Sequence, residues 1–166
     1  MATSSTGLEL IIPTVADSLT ILEISQGISL FDDGDVVTIQ ELWSEFITKG
    51  DADSWYHFLA ARQGEKIAGF ACFGKRPMTR GTFDLYWIAV DQKHHRRGIG
   101  EFLLKQVEEK VKANGGHLLI AETAGKPVFE PTRRFYLGKG YALEGRLQDF
   151  YEIGDDLCIF TKHFFG

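Results

Sequence analysis

The run from Trp87 to Leu103 constrains this chain more than any other stretch. Trp87-Ile88-Ala89-Val90 is apolar on both faces, as a central strand is. A short basic segment follows, and then Ile99, Leu103, Val107 and Val111 recur at helical spacing, with Phe102 widening the stripe. A strand therefore feeds a helix through the loop His94-His95-Arg96-Arg97-Gly98-Ile99-Gly100-Glu101. The first N–H groups of a helix have no partner within it, and its dipole adds about half a positive charge there. Gly98 and Gly100 let a ligand come close to the main chain. With Arg96, Arg97 and the two histidines, this describes a site for a di- or triphosphate ester.

The rest of the composition narrows the field. A chain of 166 residues is read as one domain, residues 1–166, with 1–7 a loose tail. At that size about 70% of the unfolded surface can be buried without staples. A net charge of −5 leaves no basic surplus for tracking a nucleic-acid backbone. Cys72 and Cys158 sit in apolar runs without metal-ligand spacing, so buried thiols and no metal are expected. No run is long and apolar enough for a signal peptide or a bilayer span, and a cytoplasmic protein is expected.

In chain order, Leu8–Ile12 reads as a strand stopped by Pro13, and Thr14 opens a helix to about Leu30 with Val15, Leu19, Leu22 and Ile28 inward. Asp32-Asp33-Gly34 breaks it, and a helix through Val36, Ile39, Trp43 and Phe46 ends near Lys49-Gly50. Trp55–Arg62 and Lys66–Gly74 form a hairpin, and Phe83–Val90 is a long strand. The helix Ile99–Ala113 stops at Asn114-Gly115-Gly116. Strand His117–Glu122, a short helix from Pro131 and strands Tyr141–Phe150 and Leu157–Phe164 complete the chain.

Two motifs mislead. Gly69-Phe70-Ala71-Cys72-Phe73-Gly74-Lys75 has the spacing of a nucleoside-triphosphate loop, but Arg76 stands where a magnesium-holding hydroxyl belongs, and the segment alternates like a strand. Gly98-Ile99-Gly100 could begin a dinucleotide fingerprint, yet Leu103 replaces its third glycine.

Order along the chain gives the loop its meaning. The strand ending Ala89-Val90-Asp91, the loop His95-Arg96-Arg97-Gly98-Ile99-Gly100 and the later block Phe135-Tyr136-Leu137-Gly138-Lys139-Gly140-Tyr141 resemble, in sequence and spacing, the GCN5-related N-acetyltransferase superfamily. The likeness runs from about Leu8 to Phe164 and is nearest to the D-alanine N-acetyltransferase group. Two positions depart from the pattern: His95 stands at a usual glutamine or arginine, and Phe129 at a usual asparagine.

The resemblance implies an α/β (α+β) fold: a mixed, mostly antiparallel sheet of about six or seven strands with about four helices, splayed between the fourth and fifth strands. It also implies acetyl-CoA as cofactor, held by His95, Arg96, Arg97, Gly98, Ile99, Gly100 and Glu101, with Ile88, Ala89 and Val90 polarising the thioester carbonyl. Tyr136 takes the position of the general acid. Tyr86 stands where the family often has a glutamate, which leaves Asp84, one step back on the same strand face, and Glu122 as rival bases. Tyr86, Arg133, Asp149 and Tyr151 are expected on the substrate side, Arg133 for a carboxylate and the acidic 149–156 segment for an amine. The acceptor expected is a small primary amine, with no nucleic acid or membrane partner; a homodimer is compatible. Peptide acetylation and a non-catalytic acyl-CoA sensor are the rival functions.

Overall fold

The computed structural model describes residues 7–94 and 98–165. Its elements in order are β1 (Leu8–Ile11), α1 (Ser18–Gly27), α2 (Asp33–Lys49), β2 (His57–Gln63), β3 (Lys66–Lys75), β4 (Thr82–Val90), α3 (Ile99–Ala113), β5 (Leu118–Ala124), α4 (Glu130–Gly138), β6 (Ala142–Glu152) and β7 (Asp155–His163). The seven strands form one mixed sheet in the order β1-β2-β3-β4-β5-β7-β6, with β4–β5 its parallel pair. Two compact units are distinguished: the chain up to Gly74 with Trp87–Lys110, and Lys75–Tyr86 with the chain from Val111 onward.

The first unit is built on the antiparallel meander β1-β2-β3. Trp43 and Phe46 from α2 meet Phe58 of β2 with ring centroids 5.1 and 5.3 Å away, and Phe58 continues to Phe70 of β3 at 6.0 Å. Such aromatic clusters bury large apolar areas and favour tilted or edge-on contacts. Helix α2 begins earlier than the break at Asp32-Asp33-Gly34 predicts. Asp32 caps it by accepting from the Asp35 amide at 2.8 Å, while Asp35 accepts from the Asp32 amide at 3.0 Å. This reciprocal pair satisfies two amides and lets the first turn start at Asp33. The first helix is also corrected: Val15–Asp17 is a 3₁₀ turn and α1 spans only Ser18–Gly27. Ile21 and Ile24 are buried, whereas Val15 and Leu19, expected inside, are 68% and 65% exposed.

Gly69 shows why its segment imitates a phosphate loop without being one. A Cβ there would lie 2.8 Å from the Ala89 carbonyl oxygen and 3.1 Å from Ile99 Cγ2. Its glycine is a packing requirement, bringing β3 against the end of β4 and the start of α3.

In the second unit, β5 and β7 pair antiparallel along seven positions, and β6 borders β7. The parallel ladder of β4 and β5 runs from Thr82↔Leu118 to Leu85↔Ala121 and ends there, while β5 goes on beside β7 to Ala124. Strand β6 is exposed along nearly all its length, and its register against β7 slips at Leu143/Gly145 and at Leu147/Glu152. No helix among the described residues is long and apolar enough to cross a membrane.

Candidate active site

Alternation decides which side chains gather at the end of the β4–β5 ladder. Asp84 is the register partner of Ile120, so Asp84, Ile120 and Glu122 share one face of the sheet. Asp84 is buried, at 7% exposure, and an isolated carboxylate there would be costly. Arg76, in the turn after β3, offsets part of that cost. Its Nε lies 2.8 Å from Oδ2 of Asp84 and its Nη2 donates to Oδ1 at 2.8 Å, a two-point fork. The same Nη2 stands 3.8 Å from Oε1 of Glu122. Burial raises the carboxyl pKa of Asp84, and the guanidinium pulls it the other way. The hydrogen bond to Asp84 raises Arg76 in turn.

The two rival bases are thus brought together, but they are not equivalent. Both oxygens of Asp84 are held by Arg76, whereas the Glu122 side chain is 43% exposed. Sequence reasoning missed Arg76, naming it only as a mismatch in a phosphate-loop motif. The signal was available: a carboxylate at an inward strand position calls for a cation.

Tyr136 occupies the opposite face. Its ring stacks on Phe160 of β7 at 5.7 Å and meets Tyr141 edge-on at 5.6 Å. Phe160 is the register partner of Ala121, and Ile159 that of Glu122. Tyr136 therefore lies on the Ala121 side of the sheet and the carboxylates on the other. Burial pushes the Tyr136 phenol well above its ordinary range, keeping it protonated.

Helix α4 carries Tyr136 into this position, and Arg133 fixes the start of that helix. Its Nη1 donates to the carbonyl oxygens of Ala124 and Lys126 at 2.7 and 2.9 Å. The residue expected to meet a substrate carboxylate is engaged in tying a loop. The acidic 149–156 segment is likewise a hairpin rather than an open loop: β6 continues to Glu152, β7 begins at Asp155, and only Ile153-Gly154 turns. Asp149 adopts φ 55, donates its amide to Asp156 Oδ1 at 3.0 Å and accepts from the Gly154 amide at 2.7 Å. Arg146 Nε holds the other oxygen of Asp156 at 2.6 Å. These carboxylates close the hairpin, and Tyr151 lies half exposed on it. Tyr86 is half-buried on the Asp84 face.

In the first unit, β4 ends in Ile88, Ala89 and Val90, and Asp91 anchors the exit by donating its amide to Ala68 at 2.8 Å. His95, Arg96 and Arg97 lie outside the described residues. Gly98 has φ 73, and a Cβ there would meet nothing within 4 Å. Its glycine answers to backbone conformation and to open space, unlike Gly69. Helix α3 begins immediately after it, with Ile99 buried; the first N–H groups of a helix have no acceptor within it. No group of three or more His, Cys, Asp or Glu among the described residues is placed to hold a metal.

Comparison with known proteins covers this whole region. A sequence profile of the acetyltransferase (GNAT) family matches residues 22–141. A crystal structure assigned to the GNAT family of acetyltransferases, from Desulfovibrio desulfuricans, is 37% identical, with a TM-score of 0.88 over 94% of this chain and 97% of that one. The ribosomal-protein-S18-alanine N-acetyltransferase of Escherichia coli is 19% identical, with a TM-score of 0.74 over 96% of each chain. The Salmonella typhimurium protein yncA, solved with its cofactor acetyl-CoA, is 17% identical, with a TM-score of 0.71 over 95% of this chain and 94% of that one. The last two are likenesses of fold. No curated protein matches the chain.

Proposed function

Because the chain belongs to the acetyltransferase (GNAT) family, we propose that it works as a single N-acetyltransferase domain, moving acetyl from acetyl-CoA directly onto the primary amine of a small molecule, an amino acid such as D-alanine. The observation that carries this reading is the arrangement at the end of the β4–β5 ladder. An exposed carboxylate, Glu122, stands on one face, and a buried neutral phenol, Tyr136, on the other. Amine attack and thiolate departure need a proton acceptor and a hydrogen-bond donor.

Acetyl-CoA supplies the acetyl group as a thioester. Gly98, left-handed and open, fits a close approach of a diphosphate to main-chain donors, and with His95, Arg96, Arg97, Ile99, Gly100 and Glu101 it would hold that group. Glu122 takes a proton from the acceptor's ammonium, directly or through one water, and the amine so freed attacks. Ile88, Ala89 and Val90 would supply backbone N–H donors for the thioester carbonyl. Tyr136 donates its hydroxyl hydrogen bond to the departing sulfur, and its raised pKa favours keeping that proton over full transfer. Asp84 is a positioning residue: both of its oxygens are taken up by Arg76.

Release of free CoA, followed across amino acids, polyamines and peptides, tests the reading. Release with small amines supports it, and release with peptides alone would transfer the assignment to protein acetylation. Tight acetyl-CoA binding without release to any amine would leave a sensor domain. Glu122→Gln should lower kcat by about a hundredfold.

A further inference from the structure

Building on the small-amine reading above, we propose that Arg76 is the receptor for the acceptor's own carboxylate, so that Arg76 and Glu122 together select a zwitterionic α-amino acid. A guanidinium has two usable edges. Asp84 occupies one of them, through Nε and Nη2, each at 2.8 Å. Because Asp84 is buried in strand β4, this contact fixes the plane of the group instead of neutralising a mobile surface charge. Nη1 meets no acceptor among the described residues, and the Arg76 side chain is 44% exposed. A rigid guanidinium with a free edge is a preorganised carboxylate binder.

Glu122 supplies the complement. Its Oε1 is 3.8 Å from Arg76 Nη2, beyond hydrogen-bonding distance, and its side chain is 43% exposed. A half-exposed cation and a half-exposed anion therefore stand side by side as a loose ion pair, with no direct hydrogen bond between them. An α-amino acid carries the matching pair on a single carbon: ammonium toward Glu122, carboxylate toward Arg76. A simple alkylamine would use only Glu122 and leave Nη1 without a partner. A second carboxylate on the acceptor would enter a site already holding Asp84 and Glu122. Neighbouring arginines are committed elsewhere: Arg133 to two backbone carbonyls, Arg134 to Glu130 and Arg146 to Asp156.

The experiment compares alanine, of either hand, with ethylamine, which is alanine without its carboxylate, by CoA release from the full-length protein. The wild type should show a KM for alanine about tenfold or more below that for ethylamine, the scale of one hydrogen bond to a charged group. Arg76→Gln should bring the ratio of the two KM values to near one, and Arg76→Lys should restore part of it. Arg76→Lys keeps a positive charge beside Asp84, so it stays informative if the glutamine variant folds poorly. Equal KM values in the wild type, or a ratio unchanged in both variants, would overturn the role of Arg76 while leaving the acetyltransferase reading intact. Absence of CoA release with both amines, while peptides or polyamines are acetylated, would remove the small-amine reading and this inference with it.

Discussion

Arg76 and Asp84 meet edge to edge, Nε 2.8 Å from Oδ2 and Nη2 2.8 Å from Oδ1, with the carboxylate buried and the guanidinium nearly half in solvent. The pair places a charge inside strand β4 at the point where its parallel partner is about to leave it. The arrangement makes Asp84 dependent on Arg76, and several outcomes follow from that dependence and from the neighbouring groups.

Arg76→Met should destabilise the fold by about 1–3 kcal/mol, because it leaves a buried carboxylate without its donors; solvent around Arg76 keeps the figure at the lower end of the buried-pair range. The loss should shrink as pH falls toward the ordinary carboxyl value of 3.8. Burial already raises the folded-state pKa of Asp84, and without Arg76 it rises further, so the protonated form costs less to bury. Urea unfolding at a series of pH values, with Asp84→Asn and the double variant closing the cycle, measures this. A pH-independent loss would contradict it.

Tyr136→Phe should reduce kcat by about a hundredfold while KM for acetyl-CoA changes little. A loss below about threefold would assign Tyr136 to packing alone. The same substitution has a stability signature. The phenol's folded pKa is raised by burial, so its contribution to stability is complete below the unfolded value of about 10 and is lost as pH rises through the folded one. The phenylalanine variant should lack that alkaline decline, as thermal melts at rising pH would reveal.

Gly98→Val should abolish acetyl-CoA binding in calorimetry while leaving the far-ultraviolet dichroism of the folded chain in place. The valine Cβ enters open space, so no packing is displaced, but a β-branched residue at φ 73 is strained and blocks the main chain. Unchanged affinity would remove the loop from the cofactor site.

The Asp149 amide should report an Asp156 titration midpoint below 3.8 when followed by nuclear magnetic resonance as pH is lowered. That amide's hydrogen bond and Arg146 both hold the Asp156 carboxyl down. A depressed carboxyl pKa means a contribution present above the unfolded value and lost as pH falls through the folded one, so the hairpin tip loosens as that carboxyl is protonated. A midpoint at or above 3.8 would show that the tie is not formed in solution.

What the sequence announced and what it concealed divide along physical lines. The stretch from Phe83 to Ala113 is legible because an apolar strand, two glycines and a four-membered helical stripe leave little freedom, and α3 spans Ile99–Ala113 as expected. The first helix misleads because periodicity fixes spacing but not phase. The 3₁₀ turn at Val15–Asp17 rotates the start of α1, so Ile21 and Ile24 face inward where Leu19 was expected. Asp149 and Asp156 looked like free charge because sequence composition cannot show that two carboxylates bind the backbone and an arginine of their own hairpin. Arg76 was concealed for a related reason. Its partner lies eight residues away across a turn, a distance no helical or strand period encodes.

Strand β6 carries one last consequence. An outer strand left open to water invites a neighbouring molecule to add its own backbone, the first step toward fibrous aggregates. Here the two register slips bend the border, and only Gly145–Leu147 stays in step with β7 between them. Glu144 and Arg146 add charge to the same border. A foreign strand would find too short a straight run of free amides to grow along, so this protein should stay dispersed at high concentration despite presenting Leu143, Leu147 and Phe150 to solvent.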